Sequence, residues 1–351
     1  MRRTFSIGHR LFLAALFSLT LLGGAFALEL REGLVKIVVD ESIARFSLYR
    51  LVDVAKDRYE PLYFDQDVRT SAVTLSFDGR QYKLGDSADF RQTFARIDGG
   101  LAITFQSAFA KVTESLLFAR SAESSLADGL RVTITVENVS QRDASIGIRW
   151  LVDTSLAEKS GIHFRTPGKE RLAAETLFEG TSFEDWVSTP GEVANFMVQF
   201  VGQGLDRPDR VHFANWKRLN DAPWAIDASS ARNFTLLPYS VNDSALAMYW
   251  QPRTVIRGGT LSLTTALGSF SEKGYPPATA DSGTSALFSK TVLADKTGGD
   301  VQSLVAADLL SVRDLLSRID LALSGTAAAS PDEIASWKKI LDLLEERKKG
   351  Y

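Results

Sequence analysis

Two histidines are the side chains in this sequence best suited to acid–base chemistry. His163 and His212 each lie between an aliphatic residue and a phenylalanine, in the tripeptides IHF and VHF. Histidine gains and loses a proton near neutral pH, so the pair could act as general acid and base beside a carboxylate. Asp153, Glu158 or Asp209 could supply that carboxylate. No sequence spacing forces the two rings together, so a structural role for both histidines is the favoured interpretation.

Tryptophan is concentrated in the middle of the chain, which carries Trp150, Trp186, Trp216, Trp224 and Trp250. Trp150 and Trp250 continue apolar alternations and are predicted to lie in the core. Trp186 and Trp216 lie among polar residues, and we weigh core packing and ligand contact equally for them. A flat aromatic ring can pack on the apolar face of a sugar, with nearby polar groups orienting the ligand.

The stretch GIRWLVDTSLAEKSGIHF (147–164) combines an apolar alternation with charged residues. The alternation predicts a strand with Trp150 on its buried face, so Arg149 is expected to point towards solvent or a cleft. His163 is expected to face away from the core on a following strand. The candidate ligand-binding residues are therefore Arg149, Asp153, His163, Trp186, His212 and Trp216, and none is assigned a catalytic role.

Signatures of several enzyme classes are missing. The sequence has no Gly-x-Ser-x-Gly elbow, no phosphate-binding loop, no His-Glu-x-x-His motif and no calcium-binding loop. It contains no cysteine, which excludes disulfides, a thiolate nucleophile and thiolate metal ligands. We therefore predict no cofactor and no metal site.

A period of two dominates the chain from Leu30 to Tyr275. Apolar residues alternate with polar ones on either side of Asp78-Gly79, and the same dipeptide recurs at 98–99 and 128–129. Asp-Gly between alternating segments predicts tight hairpins of antiparallel strands. Many such strands predict a mainly β fold, a large antiparallel β-sandwich.

The C-terminal part of the sequence changes to helical periodicity. Apolar residues at 305, 309, 312, 316, 319 and 323 form one stripe, and a second helix carries 334, 337, 341 and 344. Ser330, Pro331 and Glu333 form the start signal of that second helix. The two helices predict a C-terminal hairpin that needs a surface to pack on, with the protein's own sandwich favoured over a partner.

The first 27 residues have the layout of a bacterial secretory signal. Three arginines precede an apolar run from Leu11 to Ala27, which ends in Ala25-Phe26-Ala27. Seventeen residues are short of the ~20 that cross a bilayer, so cleavage after Ala27 is favoured over an uncleaved anchor. We expect a periplasmic or secreted protein that does not span the membrane once the signal is removed.

The predicted organisation is a signal peptide (1–27), a sandwich domain (28–275), a linker (276–300) and a helical hairpin (301–351). Removal of the signal peptide takes the formal charge from −3 to −6, because three arginines and no acidic residue are lost. An acidic chain without a basic stripe is a poor match for nucleic acid.

Several sequence blocks carry a family resemblance. The segments VTITVENVS, IGIRWLVDTSLAEKSGIHF, HFANWKRLNDAPW, NFTLLPYSVNDSALAMYW and GGTLSLTTALG resemble those of exported bacterial proteins with a galactose-mutarotase-like β-supersandwich. The resemblance covers roughly Leu30 to Tyr275 and implies that fold. It also implies a histidine acid and a glutamate base on a concave sheet, where His163 or His212 would match the histidine and no motif locates the glutamate. The helical tail lies outside the resemblance.

Taken together, these features favour an exported binding or scaffolding protein without catalysis, for which a carbohydrate is a candidate ligand. One alternative is a carbohydrate-active enzyme, an epimerase or polysaccharide lyase, that uses a histidine and a carboxylate. Another is a structural component of an envelope assembly, attached through its C-terminal helices. The expected partner is a glycan or an envelope protein, and the sequence leaves the oligomeric state open.

Overall fold

Three antiparallel sheets form the body of the protein. A computed structural model describes residues 28–124, 126–277, 301–323 and 330–349. The predicted signal peptide (1–27) and most of the predicted linker (276–300) lie outside the described residues.

Within each sheet, neighbouring strands pair in the following order. The four-stranded sheet contains β1 (Leu28–Glu32), β2 (Val35–Asp40), β3 (Arg45–Asp53) and β4 (Arg58–Pro61). The nine-stranded sheet contains β13 (Lys169–Leu172), β12 (Phe164–Thr166), β15 (Trp186–Pro190), β16 (Asn195–Gln199), β19 (Thr260–Ser269), β10 (Gly129–Asn138), β9 (Ala110–Ala119), β8 (Gly100–Gln106) and β7 (Arg91–Ile97). The six-stranded sheet contains β14 (Thr176–Glu179), β17 (Arg210–Asn215), β18 (Ser244–Val255), β11 (Ala144–Thr154), β5 (Ala72–Phe77) and β6 (Arg80–Lys83).

Helices are few and short in the body and long at the C-terminus. In the described part of the chain they are α1 (Trp216–Asp221), α2 (Val301–Leu323) and α3 (Pro331–Lys348), and two single 3₁₀ turns lie at 68–70 and 180–182. This arrangement confirms the predicted mainly β sandwich with a C-terminal helical hairpin. Within the described residues, none of the helices has the length and apolar character needed to cross a membrane.

One hydrophobic core joins the inner faces of the sheets. Leu75 and Ile148 of the six-stranded sheet and Leu101 and Ile103 of the nine-stranded sheet are completely buried in the same cluster. Alternation along each strand supplies these side chains, because every second residue faces inward. Trp150 and Trp250 are buried in this core as well, which confirms their predicted position.

Two of the three predicted Asp-Gly hairpins are confirmed. Asp78 and Gly79 have φ values of 50° and 82° and join β5 to β6, as expected for a tight turn between antiparallel strands. The turn at 98–99 joins β7 to β8. The prediction for 128–129 was wrong, because Gly129 already pairs with Ala119 and Asp128 is a buried residue of the preceding loop. The carboxylate of Asp128 accepts hydrogen bonds from the backbone N–H and the hydroxyl of Ser121, both at 2.7 Å.

The helical hairpin packs on its own sandwich, as favoured from the sequence. The N–H of Gly33, in the β1–β2 turn, donates to Asp314 Oδ1 at 2.8 Å, and Arg313 forms an ion pair of 2.6 Å with Asp57. Leu310 joins a small apolar cluster with Leu51 and Leu126. The predicted start of α3 is also confirmed, since Ser330 and Glu333 form a reciprocal capping box with Pro331 at the first turn.

The buried side of α2 differs from the predicted stripe. Leu310 and Leu315 are 8% and 1% exposed, whereas Leu309, Leu316 and Leu323 of the predicted stripe are 48%, 55% and 80% exposed. The prediction was wrong for these three because two neighbours cover α2 from different directions. The sandwich covers the side of Leu310, and α3 covers the side of Leu315 through Ile340 and Leu344.

A carboxyl group is buried in the sandwich core. Glu114 of β9 points inward and, with Arg45, lines an internal cavity of about 20 Å³. Burial raises the pKa of Glu114 to about 8, although the charge of Arg45 opposes the shift. The guanidinium of Arg45 is itself held by Asp86 at 2.8 Å and by the carbonyl of Leu84. Glu114 is therefore a neutral acid in the folded protein at neutral pH.

We expect Glu114→Gln to remove a pH-dependent loss of stability. The folded-state pKa lies above the unfolded value of 4.5, so the folded state holds the extra proton and stability falls as pH rises towards about 8. The free energy of unfolding of Glu114→Gln should therefore rise relative to the parent by roughly 3 kcal/mol between about pH 5 and 8. Urea unfolding at several pH values measures it, and Glu170→Gln, whose side chain is 96% exposed, is the control. If the difference in unfolding free energy between Glu114→Gln and the parent does not change with pH, Glu114 does not have the raised pKa.

Candidate functional site

Arg149 lies on the outer face of the six-stranded sheet, beneath α1. Its guanidinium donates to the carbonyls of Leu219 and Ala222, the latter at 3.0 Å, at the C-terminal end of that short helix. The expectation that Arg149 points to solvent or a cleft was wrong, since the residue is 4% exposed. Alternation along β11 placed it correctly on the face opposite the core, but a later segment of the chain covers that face. The negative end of a helix is a favourable partner for a buried cation.

His212 lies beside Arg149 on the same surface, which we call the covered face and define by Arg149, His212 and Tyr249. The rings of His212 and Tyr249 are 5.2 Å apart, and the guanidinium of Arg149 lies 5.8 Å from the Tyr249 ring centre. Trp224 closes the surface from outside, with its ring 5.7 Å from that of Tyr249. Neither nitrogen of His212 nor the hydroxyl of Tyr249 has a hydrogen-bond partner among the described residues.

The electrostatics of the covered face keep His212 neutral. Burial lowers its pKa to about 4, and the positive charges of Arg210 and Arg149 act in the same direction. A general base that works near neutral pH needs a pKa close to 7. The covered face is shielded from solvent and positively charged. It is therefore a packing surface between the sheet and the segment that carries α1 and Trp224.

Asp153 and Trp216 meet at one end of the same sheet. The indole N–H of Trp216 donates to the carbonyl of Thr70 at 2.9 Å, and the backbone N–H of Asp153 donates to the hydroxyl of Ser71 at 3.0 Å. Burial raises the pKa of Asp153 to about 8, and the nearby charges of Asp243 and Glu158 add to the shift. Both residues thus hold the segment around residue 70 against the sheet.

His163 lies apart from His212. It has a φ of 58° and bridges to Leu172, and its ring packs 4.4 Å from the ring of Phe234. The expectation that His163 faces outward from a strand was wrong, because it occupies a left-handed position before β12 and is 3% exposed. Burial lowers its pKa to about 4. Among the described residues, neither histidine forms a hydrogen bond with a carboxylate.

Trp186, the sixth predicted residue, leads to a different surface. It is the first residue of β15 in the nine-stranded sheet, and its ring packs edge-on against Phe270 at 5.0 Å. Phe270 is 39% exposed and lines a surface pocket of about 420 Å³. We call this pocket the polar cleft. Its lining residues are Arg50, Ser121, Glu123, Ser124, Asp128, Gly191, Glu192, Val193, Ala194, Asn195, Ser269 and Phe270.

Hydrogen bonds inside the protein hold the polar groups of the cleft in place. Arg50 donates to the hydroxyl of Ser269. Glu123 Oε2 accepts from the hydroxyl of Ser271 at 2.8 Å and from the N–H of Glu272 at 3.1 Å. Asn195 Oδ1 accepts from the N–H of Gly191 at 3.0 Å. Burial raises the pKa of Asp128, against the hydrogen bonds from Ser121 and the charge of Arg50.

A tyrosine beneath the cleft fixes its floor. The hydroxyl of Tyr275 lies within hydrogen-bond distance of the carbonyls of Ser269 and Asp128, at 2.8 and 3.1 Å. Its ring lies across Gly129, where an added Cβ would come within 2.5 Å of the ring atoms. Glycine is therefore required at this position, and the aromatic ring and both carbonyls form one rigid unit.

Sequence reasoning found Trp186 but missed the cleft itself. Arg50, Glu123, Asn195 and Phe270 come from four separate segments, and no motif connects them. Hydroxyl, amide, guanidinium and carboxylate groups are suited to exchange hydrogen bonds with a polyhydroxylated ligand. No group of three or more histidine, aspartate or glutamate side chains suited to a metal ion occurs within the described ranges.

Solved structures of galactose mutarotase-like proteins are similar to this chain, as the sequence resemblance predicted. A candidate aldose 1-epimerase from Escherichia coli K12 is 12% identical with a TM-score of 0.44, over 70% of this chain and 99% of that chain. A galactose mutarotase-like protein from Lactobacillus casei is 12% identical with a TM-score of 0.41, over 70% and 100% of the two chains. A galactose mutarotase related enzyme from Lactobacillus acidophilus is 10% identical with a TM-score of 0.43, over 72% and 100%. No family model and no curated protein sequence matches the chain. Similarity at this level assigns no activity to the residues described above.

We expect Arg149→Met to loosen α1 from the sheet. Methionine keeps the apolar stem but leaves the carbonyls of Leu219 and Ala222 without their donor, which should cost about 2 kcal/mol of unfolding free energy. Hydrogen exchange of the amides in 216–226, together with urea unfolding, measures both effects. Arg210→Met is the matched control, because this side chain on the neighbouring strand lies 4.0 Å from Glu179 and is 35% exposed. Equal effects of the two substitutions contradict a specific role for Arg149.

Proposed function

We propose that this protein is exported and binds a carbohydrate in the polar cleft without transforming it. The observation that carries the proposal is a pocket of about 420 Å³ that combines an exposed aromatic ring with several fixed polar side chains. Pockets for small ligands commonly measure roughly 300–1,000 Å³. The cleft is thus large enough for one or two sugar units.

The chemistry of the cleft suits sugar hydroxyl groups. Each hydroxyl both donates and accepts, and the cleft offers a guanidinium donor in Arg50, carboxylate acceptors in Glu123 and Glu192, and an amide in Asn195. Phe270 supplies an apolar surface at the rim, supported from behind by Trp186. Such a ring can pack on the C–H face of a pyranose while the polar groups set its orientation.

Preorganisation supports binding in this cleft. Arg50, Glu123 and Asn195 are already positioned by hydrogen bonds to Ser269, Ser271 and Gly191. A guanidinium has five donors and a carboxylate about four acceptor sites, so each group keeps capacity for a ligand. Groups that are fixed before the ligand arrives lose little conformational entropy on binding.

The arrangement of acids and histidines favours binding over catalysis. Both oxygens of Asp128 accept from Ser121, and one oxygen of Glu123 holds the turn at 271–272. His163 and His212 lie against different aromatic partners, Phe234 and Tyr249, with lowered pKa values. An epimerase or lyase that uses these histidines is therefore the less supported alternative. A structural role in an envelope assembly remains a third proposal, in which the hairpin provides the contact.

Export is tested by the N-terminus of the protein produced from the full sequence. Arginines followed by an apolar run ending in Ala25-Phe26-Ala27 should direct secretion, with cleavage before Leu28. N-terminal sequencing of the periplasmic fraction from a bacterial host is expected to begin at Leu28. Ala27→Arg should abolish this cleavage, because the position before the cut requires a small residue. Mature protein that retains Met1 contradicts export by a cleavable signal.

Carbohydrate binding is tested on a glycan array followed by isothermal titration with the glycan that binds. Phe270→Ala and Asn195→Ala should each weaken binding at least tenfold, because they remove the apolar surface and a fixed amide from the cleft. Tyr239→Ala is the matched control for loss of an exposed aromatic ring, since Tyr239 is 67% exposed and does not line the cleft. Recovery of the glycan unchanged after prolonged incubation would agree with binding alone. Binding that survives Phe270→Ala and Asn195→Ala, or no glycan binding at all, contradicts the proposal.

A further inference from the structure

The polar cleft and the helical hairpin share two segments of the sandwich. One segment is β3, which carries Arg50 of the cleft. The other is the loop between β9 and β10, and its cleft residues are Ser121, Glu123, Ser124 and Asp128. We call residues 121–124 and 126–128 the cleft loop. A contact between the hairpin and either segment therefore reaches the cleft through one or two residues.

An apolar cluster joins α2 to both of these segments. Leu310 of α2 forms it with Leu51 of β3 and Leu126 of the cleft loop. The three leucines are 8%, 4% and 9% exposed, and the half-buried side chains of Leu34 and Tyr59 pack against them. Burial of apolar side chains against one another is favourable, so α2 holds β3 and the cleft loop in a fixed position.

The position of Leu51 determines that of Arg50, because the two residues are consecutive in β3. Successive side chains of a strand point to opposite faces, so Leu51 packs towards the hairpin while Arg50 lines the cleft. Arg50 also donates to the hydroxyl of Ser269, which is another cleft residue. A shift of β3 at Leu51 would therefore move the guanidinium away from that hydroxyl.

Leu126 is tied to a cleft residue through its backbone. Its N–H donates to Ser124 Oγ at 3.2 Å, and its carbonyl accepts from the same hydroxyl at 2.7 Å. Ser124 lines the cleft, whereas the side chain of Leu126 packs in the cluster with Leu310. The apolar contact with α2 therefore also sets the position of the Ser124 hydroxyl.

A second contact runs from α2 to the cleft loop through the β1–β2 turn. Asp314 Oδ1 accepts from the buried N–H of Gly33 at 2.8 Å. Gly33 lies directly on Ala127, because an added Cβ would come within 2.6 Å of the Ala127 backbone. The N–H of Leu34 donates to the carbonyl of Ala127 at 2.7 Å. Ala127 precedes Asp128 of the cleft, so this hydrogen-bonded route ends at the same loop as the apolar one.

We propose that the docked helical hairpin fixes the conformation of the polar cleft, so that hairpin docking and ligand binding in the cleft favour each other. Leu310 and Asp314 are positioning residues, since they contact the sandwich and do not line the cleft. The effect on affinity rests on the proposed carbohydrate binding, whereas the effect on the cleft loop applies to the free protein. Coupling of this kind is reciprocal, so a bound ligand stabilises docking by the factor by which docking raises affinity.

Hydrogen exchange of the mature full chain without ligand tests the effect on the cleft loop. Leu310→Ala should speed exchange of the cleft-loop amides about tenfold, because it removes packing from the cluster that holds the loop. Leu309→Ala is the matched control, since the neighbouring Leu309 is 48% exposed and should leave these amides unchanged. The amides of β10 report on global stability. A cleft loop that exchanges as in the parent, or an equal acceleration in β10, overturns the proposal.

Asp314→Ala tests the same inference through the β1–β2 turn and decides it if Leu310→Ala does not fold. Loss of the acceptor for the N–H of Gly33 should speed exchange of that amide and of the cleft loop about fivefold. Asp314→Asn keeps a side-chain oxygen that can accept and should stay close to the parent. Circular dichroism establishes that each variant is folded. A cleft loop that is unchanged in folded Asp314→Ala contradicts the route through Gly33.

Isothermal titration with the glycan that binds the parent tests the coupling. Leu310→Ala should weaken binding about tenfold and Leu309→Ala should not, while saturating glycan should slow exchange of the amides in 308–316 by a similar factor. Equal affinity of the parent and Leu310→Ala overturns the inference and leaves the proposed function intact. A parent that binds no glycan, together with a faster cleft loop in Leu310→Ala, refutes the proposed function and supports the role of the hairpin.

Discussion

Burial of the inner sheet faces against one another is the constraint on which the rest of this structure depends. Alternation gives every strand one apolar face, and Leu75, Ile148 and Leu101 show how completely these faces are removed from water. The inner faces of the sheets are packed together, so the outer faces differ in how far later segments of the chain cover them. The six-stranded sheet is covered by α1 and Trp224, while the nine-stranded sheet is bordered by a cleft that stays open. The closed and the open surface follow from this difference.

The fold was predictable because its signals are local. A period of two, Asp-Gly turns and the capping box at Ser330 each depend on neighbouring residues, and the elements formed where these patterns predict them. The exception at Asp128 has a physical reason. Its carboxylate is bound by Ser121 in a buried loop, and this tertiary contact outweighs the turn preference of the dipeptide.

The site was less predictable because alternation shows which residues share a face but not what covers that face. Arg149 was placed on the face opposite the core, yet its burial and that of His212 depend on α1, which follows β17 in the chain. The cleft is a stronger case. Arg50 lies on β3 and Asn195 on β16, and both line the cleft beside Ser269, whose carbonyl is bound by Tyr275, so the cleft depends on contacts between distant segments. The same limit explains why exposure of Leu316 was missed, since the stripe alone does not say which neighbour covers it.

Burial shifts the pKa values of acids and histidines in opposite directions, because in both cases it disfavours the charged form. Desolvation raises the pKa of Glu114 and Asp153 to about 8 and lowers that of His163 and His212 to about 4. The acids hold protons that the unfolded chain releases, so they favour the folded state more at low pH. The histidines lack protons that the unfolded chain takes up, so they favour it more at high pH. Between about pH 4 and 6.5 the two effects oppose each other, and above that range only the acids remain. The net change of stability with pH between about 4 and 6.5 is therefore smaller than either the two acids or the two histidines alone would produce.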